Sequence, residues 1–153
     1  MLIREANIED ISEIKNLYWE LDKDAVFYQP SQFVLADRPD DFLINTINSE
    51  KSDILIIENE GRIIGFSLLQ EKETPKISCL REKKFVYILD FMISENYRNN
   101  GYGSLLLESS KEWGKKRGLD FLRLSVFEDN QKGIDFYKRN ELIATMKTME
   151  CEL

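Results

Sequence analysis

An apolar run, Tyr87-Ile88-Leu89-Asp90-Phe91-Met92-Ile93, contains one carboxylate, Asp90, and is followed by Arg98-Asn99-Asn100-Gly101-Tyr102-Gly103-Ser104 and a helix-like stretch ending near Arg117. A strand feeding a short glycine-containing loop and a helix start aims unpaired backbone N–H groups and the positive end of the helix dipole at one point. Such a point suits a pyrophosphate. Gly101 and Gly103 let the backbone come close to a phosphate, and Arg98 adds charge at the rim. The alternative is a tight strand-to-helix turn with no ligand. Asp90 poses a separate question, because a carboxylate inside an apolar strand is costly unless it is paired or functional. Its bland explanation is an ion pair with Arg123 on the neighbouring strand.

Other nucleotide motifs do not fit. Leu106 stands where a dinucleotide fold wants its third glycine, and no Gly-Lys-Ser/Thr follows. The chain has no histidine, which removes the commonest general base and any Ser-His-Asp arrangement. Cys79 and Cys151 lie far apart without Cys-x-x-Cys spacing, so they read as free thiols and no metal site is expected. Chemistry then falls to carboxylates, tyrosines, backbone dipoles and the substrate's own groups.

The elements that position these residues follow from periodicity. Leu2 to Ala6 reads as a first strand, and Asn7 caps a helix with Ile8, Ile11, Ile14, Leu17, Tyr18 and Leu21 on one face. From Asp22 to Pro39 the pattern loosens, which predicts a substrate-facing loop carrying Asp22, Asp24, Tyr28 and Phe33, or merely a surface loop. A short helix is expected over 41–48. Two strands about Asn59-Glu60-Gly61 form a hairpin, and a polar loop with Pro75 leads to the strand that carries Asp90. The helix over 101–117 stops at Gly118, and Phe121 to Phe127 follows as a strand parallel to the previous one. Asp129 or Asn130 caps a helix with Ile134, Phe136 and Tyr137, and Thr145 to Leu153 reads as a closing strand.

Length and composition set the class. With 153 residues, 42% hydrophobic and 32% charged, a single folded domain spanning 1–153 is expected. No apolar run approaches the ~20 residues of a membrane span, and the N-terminus lacks a signal-peptide core, so a cytoplasmic protein with no membrane partner is the expectation. A net charge of −7 argues against nucleic acid as partner and suits a cationic substrate, though a solvated acidic surface is the better explanation of it.

The Arg-x-x-Gly-x-Gly spacing after such a strand resembles the acetyl-CoA loop of the GNAT-type N-acetyltransferase superfamily. A second segment, Asn130-Gln131-Lys132-Gly133-Ile134-Asp135-Phe136-Tyr137, is similar to the family's Asn-x-x-Ala-x-x-Phe-Tyr, with Gly133 where alanine is usual. The resemblance is strong from Phe85 to Tyr137 and rests on element order before that. It implies an α/β (α+β) fold with a mixed sheet, flanking helices, and a central parallel strand pair splayed to admit acetyl-CoA. It implies that Phe91, Met92 and Ile93 face the cofactor arm, with a backbone N–H near Phe91 receiving the thioester carbonyl, and that residues 98–104 hold the phosphates. Asn130 would contact the arm and Tyr137 would lie near the sulfur. Read as residues alone, Asn130 is a helix cap and Tyr137 a core aromatic. Asp90 is placed like the carboxylate of diamine and polyamine acetyltransferases, as an anchor for the amine, with the ion pair to Arg123 an even alternative. The resemblance thus implies acetyl transfer to a primary amine, here of a small cationic molecule, and the expected substrate-facing loop offers Asp24 and Tyr28 beside it. Its alternatives are a peptide or protein acceptor, or a non-catalytic acyl-CoA-binding module. Homodimers are common in families of this kind. After Tyr137 the family usually continues with glycine and an aromatic, whereas Lys138-Arg139-Asn140-Glu141-Leu142 stands here, and Asn140 is the expected left-handed residue.

Overall fold

A computed structural model describes residues 1–153. Five strands, β1 (Leu2–Glu5), β2 (Ser52–Asn59), β3 (Arg62–Glu73), β4 (Lys84–Ile93) and β5 (Phe121–Leu124), lie in chain order across one sheet. The first four pair antiparallel and β4 with β5 is parallel. The helices are α1 (Ile11–Tyr28), α2 (Asp40–Asn48), α3 (Tyr102–Lys116) and α4 (Gln131–Arg139). This is the expected mixed sheet with flanking helices. No helix is long and apolar enough to cross a membrane.

Strand alternation divides the core in two. Ile54, Ile56, Phe66, Leu68 and Met92 pack with Ile11, Ile14, Leu17, Tyr18 and Leu43 on the α1/α2 face. Leu55, Ile57, Ile64, Leu69, Val86, Ile88 and Ile93 pack with Leu106, Leu107 and Trp113 on the α3 face. A buried Ser67–Ser110 hydrogen bond of 3.0 Å crosses the second interface.

The β3–β4 register changes once, from Leu69↔Ile88 to Leu68↔Asp90, so Leu89 is an extra residue in β4. Before it, Val86 and Ile88 face α3. After it, Met92 faces α1, and Asp90 turns to the same side. The β4–β5 ladder ends at Ile88↔Leu124, beside the same bulge. The expected strand through Phe127 is therefore only Phe121–Leu124, because its partner bends away.

Three further expectations are corrected. The helix read as ending near Leu21 continues to Tyr28, so Asp22, Asp24 and Tyr28 are helical. Two aspartates did not break it, and the stop comes at Gln29, which leaves the helical region just before Pro30. At the end of α4 the left-handed residue is Glu141, φ 71°, not Asn140. Glu141 N–H donates to the Lys138 carbonyl and Leu142 N–H to that of Tyr137, the bond pair of a Schellman motif. Finally, Thr145–Leu153 forms no strand.

Gly114 lets α3 sit on the sheet, since a Cβ there would lie 2.4 Å from Val86 Cγ2. Gly114→Ala should lower stability by about 1–3 kcal/mol, as overpacking does. Chemical denaturation checks this, and Val86→Ala in the same chain should recover part of the loss.

Candidate active site

Beyond Ile88, the edge of β4 that would have continued onto β5 is open. On its other edge Ser94 N–H donates to the Ile64 carbonyl. Strand alternation then points the Met92 peptide toward β3 and the Phe91 N–H toward the opening. The Met92 side chain is buried among the α1-side core, and Phe91 packs against the rings of Phe136 at 5.9 Å and Tyr137 at 6.1 Å. α4 therefore stands across the opening from β4.

At the end of β4, Asn100 Nδ2 donates to the carbonyls of Tyr97 and Arg98 and shapes the turn. Asn99 at φ 62° and Gly101 at φ 83° are left-handed. No backbone N–H from Asn99 through Ser104 donates to a protein acceptor, and α3 begins without a side-chain cap. Space is open where a Gly101 side chain would stand, while a Cβ on Gly103 would crowd Phe136 at 3.1 Å. A row of free donors at a helix start fits the phosphates of a nucleotide cofactor. Arg98 is turned partly elsewhere: its Nε donates to the Ile93 carbonyl at 2.8 Å, and its guanidinium lies 3.4 Å from Asp24.

Asp90 makes no bond to Arg123, whose guanidinium instead stacks over Phe85 and Phe121. Its partner is the Tyr18 hydroxyl, which donates to Asp90 Oδ2 at 2.6 Å. Tyr18 is 1% exposed, with Phe66 at 4.8 Å and the Arg38 guanidinium 3.9 Å above its ring. Arg38 in turn donates twice to Asp22, at 2.7 and 3.1 Å. Burial raises the Asp90 pKa above the usual carboxylate range, and Asp22 adds to this, while the Tyr18 hydrogen bond and Arg38 act in the opposite sense. The Tyr18 hydroxyl is held strongly protonated by burial and by Asp90.

Asn130 is a helix cap, its Oδ1 accepting from Gly133 N–H at 3.0 Å and, at 3.3 Å, from the Tyr28 hydroxyl. Gly133 is matched to that arrangement, since a Cβ there would fall 2.6 Å from Asn130 Nδ2. Tyr28 and Phe33 flank Phe127 at 5.7 and 5.6 Å. The Tyr137 hydroxyl makes no hydrogen bond within the protein, and burial pushes its pKa up to about 12. The sequence reading brought Asp90, Phe91, the glycine loop and Tyr137 to one place. It missed Tyr18 and Arg38. Tyr18 was counted as apolar, although a tyrosine on a buried helix face needs a hydroxyl partner, and that need is the signal that points to Asp90.

A five-stranded mixed sheet parted at its one parallel pair, with a glycine-containing loop at the mouth, is the architecture of GNAT-type acyltransferases. The chain belongs to the acetyltransferase (GNAT) family, whose sequence model matches residues 9–141. It is 28% identical over 143 residues to an uncharacterized N-acetyltransferase, YhfO of Bacillus subtilis (strain 168), covering 92% of this chain and 88% of that one. The crystal structure of a tetramutant of the BH1408 protein from Bacillus halodurans is 27% identical and covers all of both chains with a TM-score of 0.95. The aminoglycoside N-acetyltransferase AAC(6')-Iy, solved in complex with CoA, shares the fold at a TM-score of 0.75 and 12% identity, over 99% of this chain and 98% of that one.

Because Asp90's folded pKa is raised, the group favours folding most fully below its unfolded pKa, and that contribution fades as pH climbs through the folded value. Tyr18→Phe removes a donor that favours the carboxylate, so the Asp90 titration should move to still higher pH. NMR of the side-chain carboxyls reads it. A titration that stays put would show that the hydrogen bond does not govern Asp90.

Proposed function

We propose that the chain, as one domain over 1–153, transfers an acetyl group from acetyl-CoA to a primary amine of a small cationic molecule. One observation carries this reading: Asp90 lies beside the open edge of β4, and Tyr137, its hydroxyl unengaged, stands across the opening. Acetyl-CoA, when bound, supplies the acetyl thioester. Residues 99–104 would hold its phosphates through backbone N–H groups, with the Arg98 side chain at the rim, and the Phe91 N–H faces the site where charge develops on a carbonyl oxygen. Asn130 borders the same opening.

An alkylammonium of pKa ~10.4 must lose a proton before it can attack. Asp90 Oδ1 accepts from the ammonium, orients it, and passes the proton to water. Asp22 and Arg38 cancel one another, so the group around Tyr18 presents the charge of Asp90 alone to a cation. Asp24 and Tyr28, about two and three turns beyond Tyr18 along α1, border the entry. Tyr137 Oη, with a pKa of about 12, keeps its proton at neutral pH and donates to the departing sulfur. The carbon–sulfur bond breaks as the carbon–nitrogen bond forms, and the amine proton leaves through Asp90.

Thiol release from acetyl-CoA with polyamines, aminoglycosides, amino-acid amines and short peptides tests the reading. One amine class should react. Tyr137→Phe should lower kcat by about 10²-fold and Asp90→Asn should lower kcat/KM for the amine by about 10²-fold, the scale of lost acid–base assistance. Binding of acetyl-CoA without release from any small amine would overturn the acceptor reading.

The phosphate loop is tested separately. Saturating CoA should raise the melting temperature, because a ligand of the native state stabilises it. Gly101→Val, forcing a β-branched residue to φ 83°, should abolish that rise.

A further inference from the structure

Arg38 comes from the segment before α2, yet its guanidinium lies among the groups that hold Asp90. α1 sets Tyr18 and Asp22 one turn apart on the same face. The guanidinium lies across both, 3.9 Å from the Tyr18 ring centroid and donating to the two oxygens of Asp22 at 2.7 and 3.1 Å. Its planar fork stacks and pairs at once, which a lysine ammonium could not do. Contacts of 2.6, 3.9 and 2.7 Å thus run in series from Asp90 through Tyr18 and Arg38 to Asp22. Both outer charges reach the carboxylate, since Arg38 lowers the Asp90 pKa and Asp22 raises it.

Fastening the segment does not by itself call for this arrangement. Lys15 already reaches Asp37 and Asp40, on either side of Arg38, at 3.5 and 2.9 Å. What Arg38 changes is the charge that an acceptor meets. Asp22 and Asp24 are each matched by an arginine, and both oxygens of Glu20 are taken by the Ser94 hydroxyl and the Glu95 N–H. Of these four acids Asp90 alone keeps a free oxygen and no matching cation.

We propose, resting on the amine-transfer reading above, that Arg38 is a specificity residue: it occupies the place of a second ammonium, so that the site selects amines with one positive charge over diamines and polyamines. One ammonium on Asp90 Oδ1 completes the neutrality of the group. A second ammonium on the same molecule finds Asp22 already taken and faces a like charge. The discrimination is thus a repulsive element carried by the chain itself.

Butylamine and diaminobutane have the same carbon chain and differ by one ammonium, and calorimetry of each on the CoA-loaded protein needs no turnover. The diamine should bind the unaltered chain no more tightly than the monoamine. Arg38→Gln frees Asp22 and should shift the ratio of affinities toward the diamine about tenfold. Adding Asp22→Asn removes the freed charge, and the ratio should return to its original value although the tie to the segment stays broken. The Arg38 side chain is 38% exposed, and both variants should keep the CoA-induced rise in melting temperature. A ratio unmoved in Arg38→Gln, or still moved in the double variant, overturns the proposal, since Arg38 would then be a fastening only. So does a preference of the unaltered chain for the diamine. Acetylation of both amines with an unmoved ratio sinks this proposal and leaves amine transfer standing, whereas CoA binding with no binding of either amine sinks both.

Discussion

The extra residue Leu89 in β4 is the constraint on which the rest of the site depends. Side chains alternate with a period of two, so one inserted residue reverses every side chain beyond it. Without it, Asp90 would share the face of Val86 and Ile88 and lie against the apolar packing of α3, away from Tyr18. With it, Asp90 comes under Tyr18, and the peptide groups of the strand's last residues are freed from β5. One local irregularity therefore supplies both the carboxylate and the open edge, and neither is available from a regular ladder.

An open edge must be kept from closing, and α1 does this through a column of side chains. Tyr18 binds Asp90, Glu20 accepts from the Ser94 hydroxyl and the Glu95 N–H, Asp24 meets Arg98, and Tyr28 reaches Asn130. These contacts descend the helix and touch, in turn, the strand, the turn after it, the phosphate loop and the cap of α4. The whole rim is thus referred to one rigid element. α1 is itself anchored at its start, where the Asn7–Asp10 capping box is joined by Arg4, which donates to both Asp10 and Glu58. Arg4 holds the Asp10 carboxyl below its usual range.

Much of this was legible in the sequence because it is local. The glycine loop, the Asn130 cap and the five strands announce themselves by spacing, and the order of elements dictates a parallel β4–β5 pair. What was not legible depends on partners far away in sequence. The bulge at Leu89 leaves no mark in the run 87–93, where every residue but Asp90 is apolar. The Tyr18–Asp90 bond spans 72 positions. The end of α1 was misjudged because Asp22 and Asp24 are poor helix residues in isolation, whereas Asp22 is held by Arg38 and Asp24 by Arg98. The closing strand had the right alternation, but alternation alone makes no strand, and Thr145–Leu153 makes no backbone hydrogen bond to the sheet.

The electrostatics of the Tyr18 group explain why an aromatic residue sits where an ion pair would be the simpler answer. Had Arg123 bridged Asp90, the charge would have been cancelled and the site left neutral. A tyrosine hydroxyl satisfies one oxygen of the carboxylate without neutralising it. Arg38, close enough to lower the Asp90 pKa, is itself matched by Asp22, to which it donates two hydrogen bonds, so its field at longer range is small. Desolvation is the largest influence, and it raises the Asp90 pKa above the usual carboxylate range. Burial, a neutral donor and a compensated cation act together on one carboxylate, and the same Arg38 ties the segment before α2 to the face of Tyr18. Any movement of that segment is therefore felt at Asp90 as a change in charge as well as in shape.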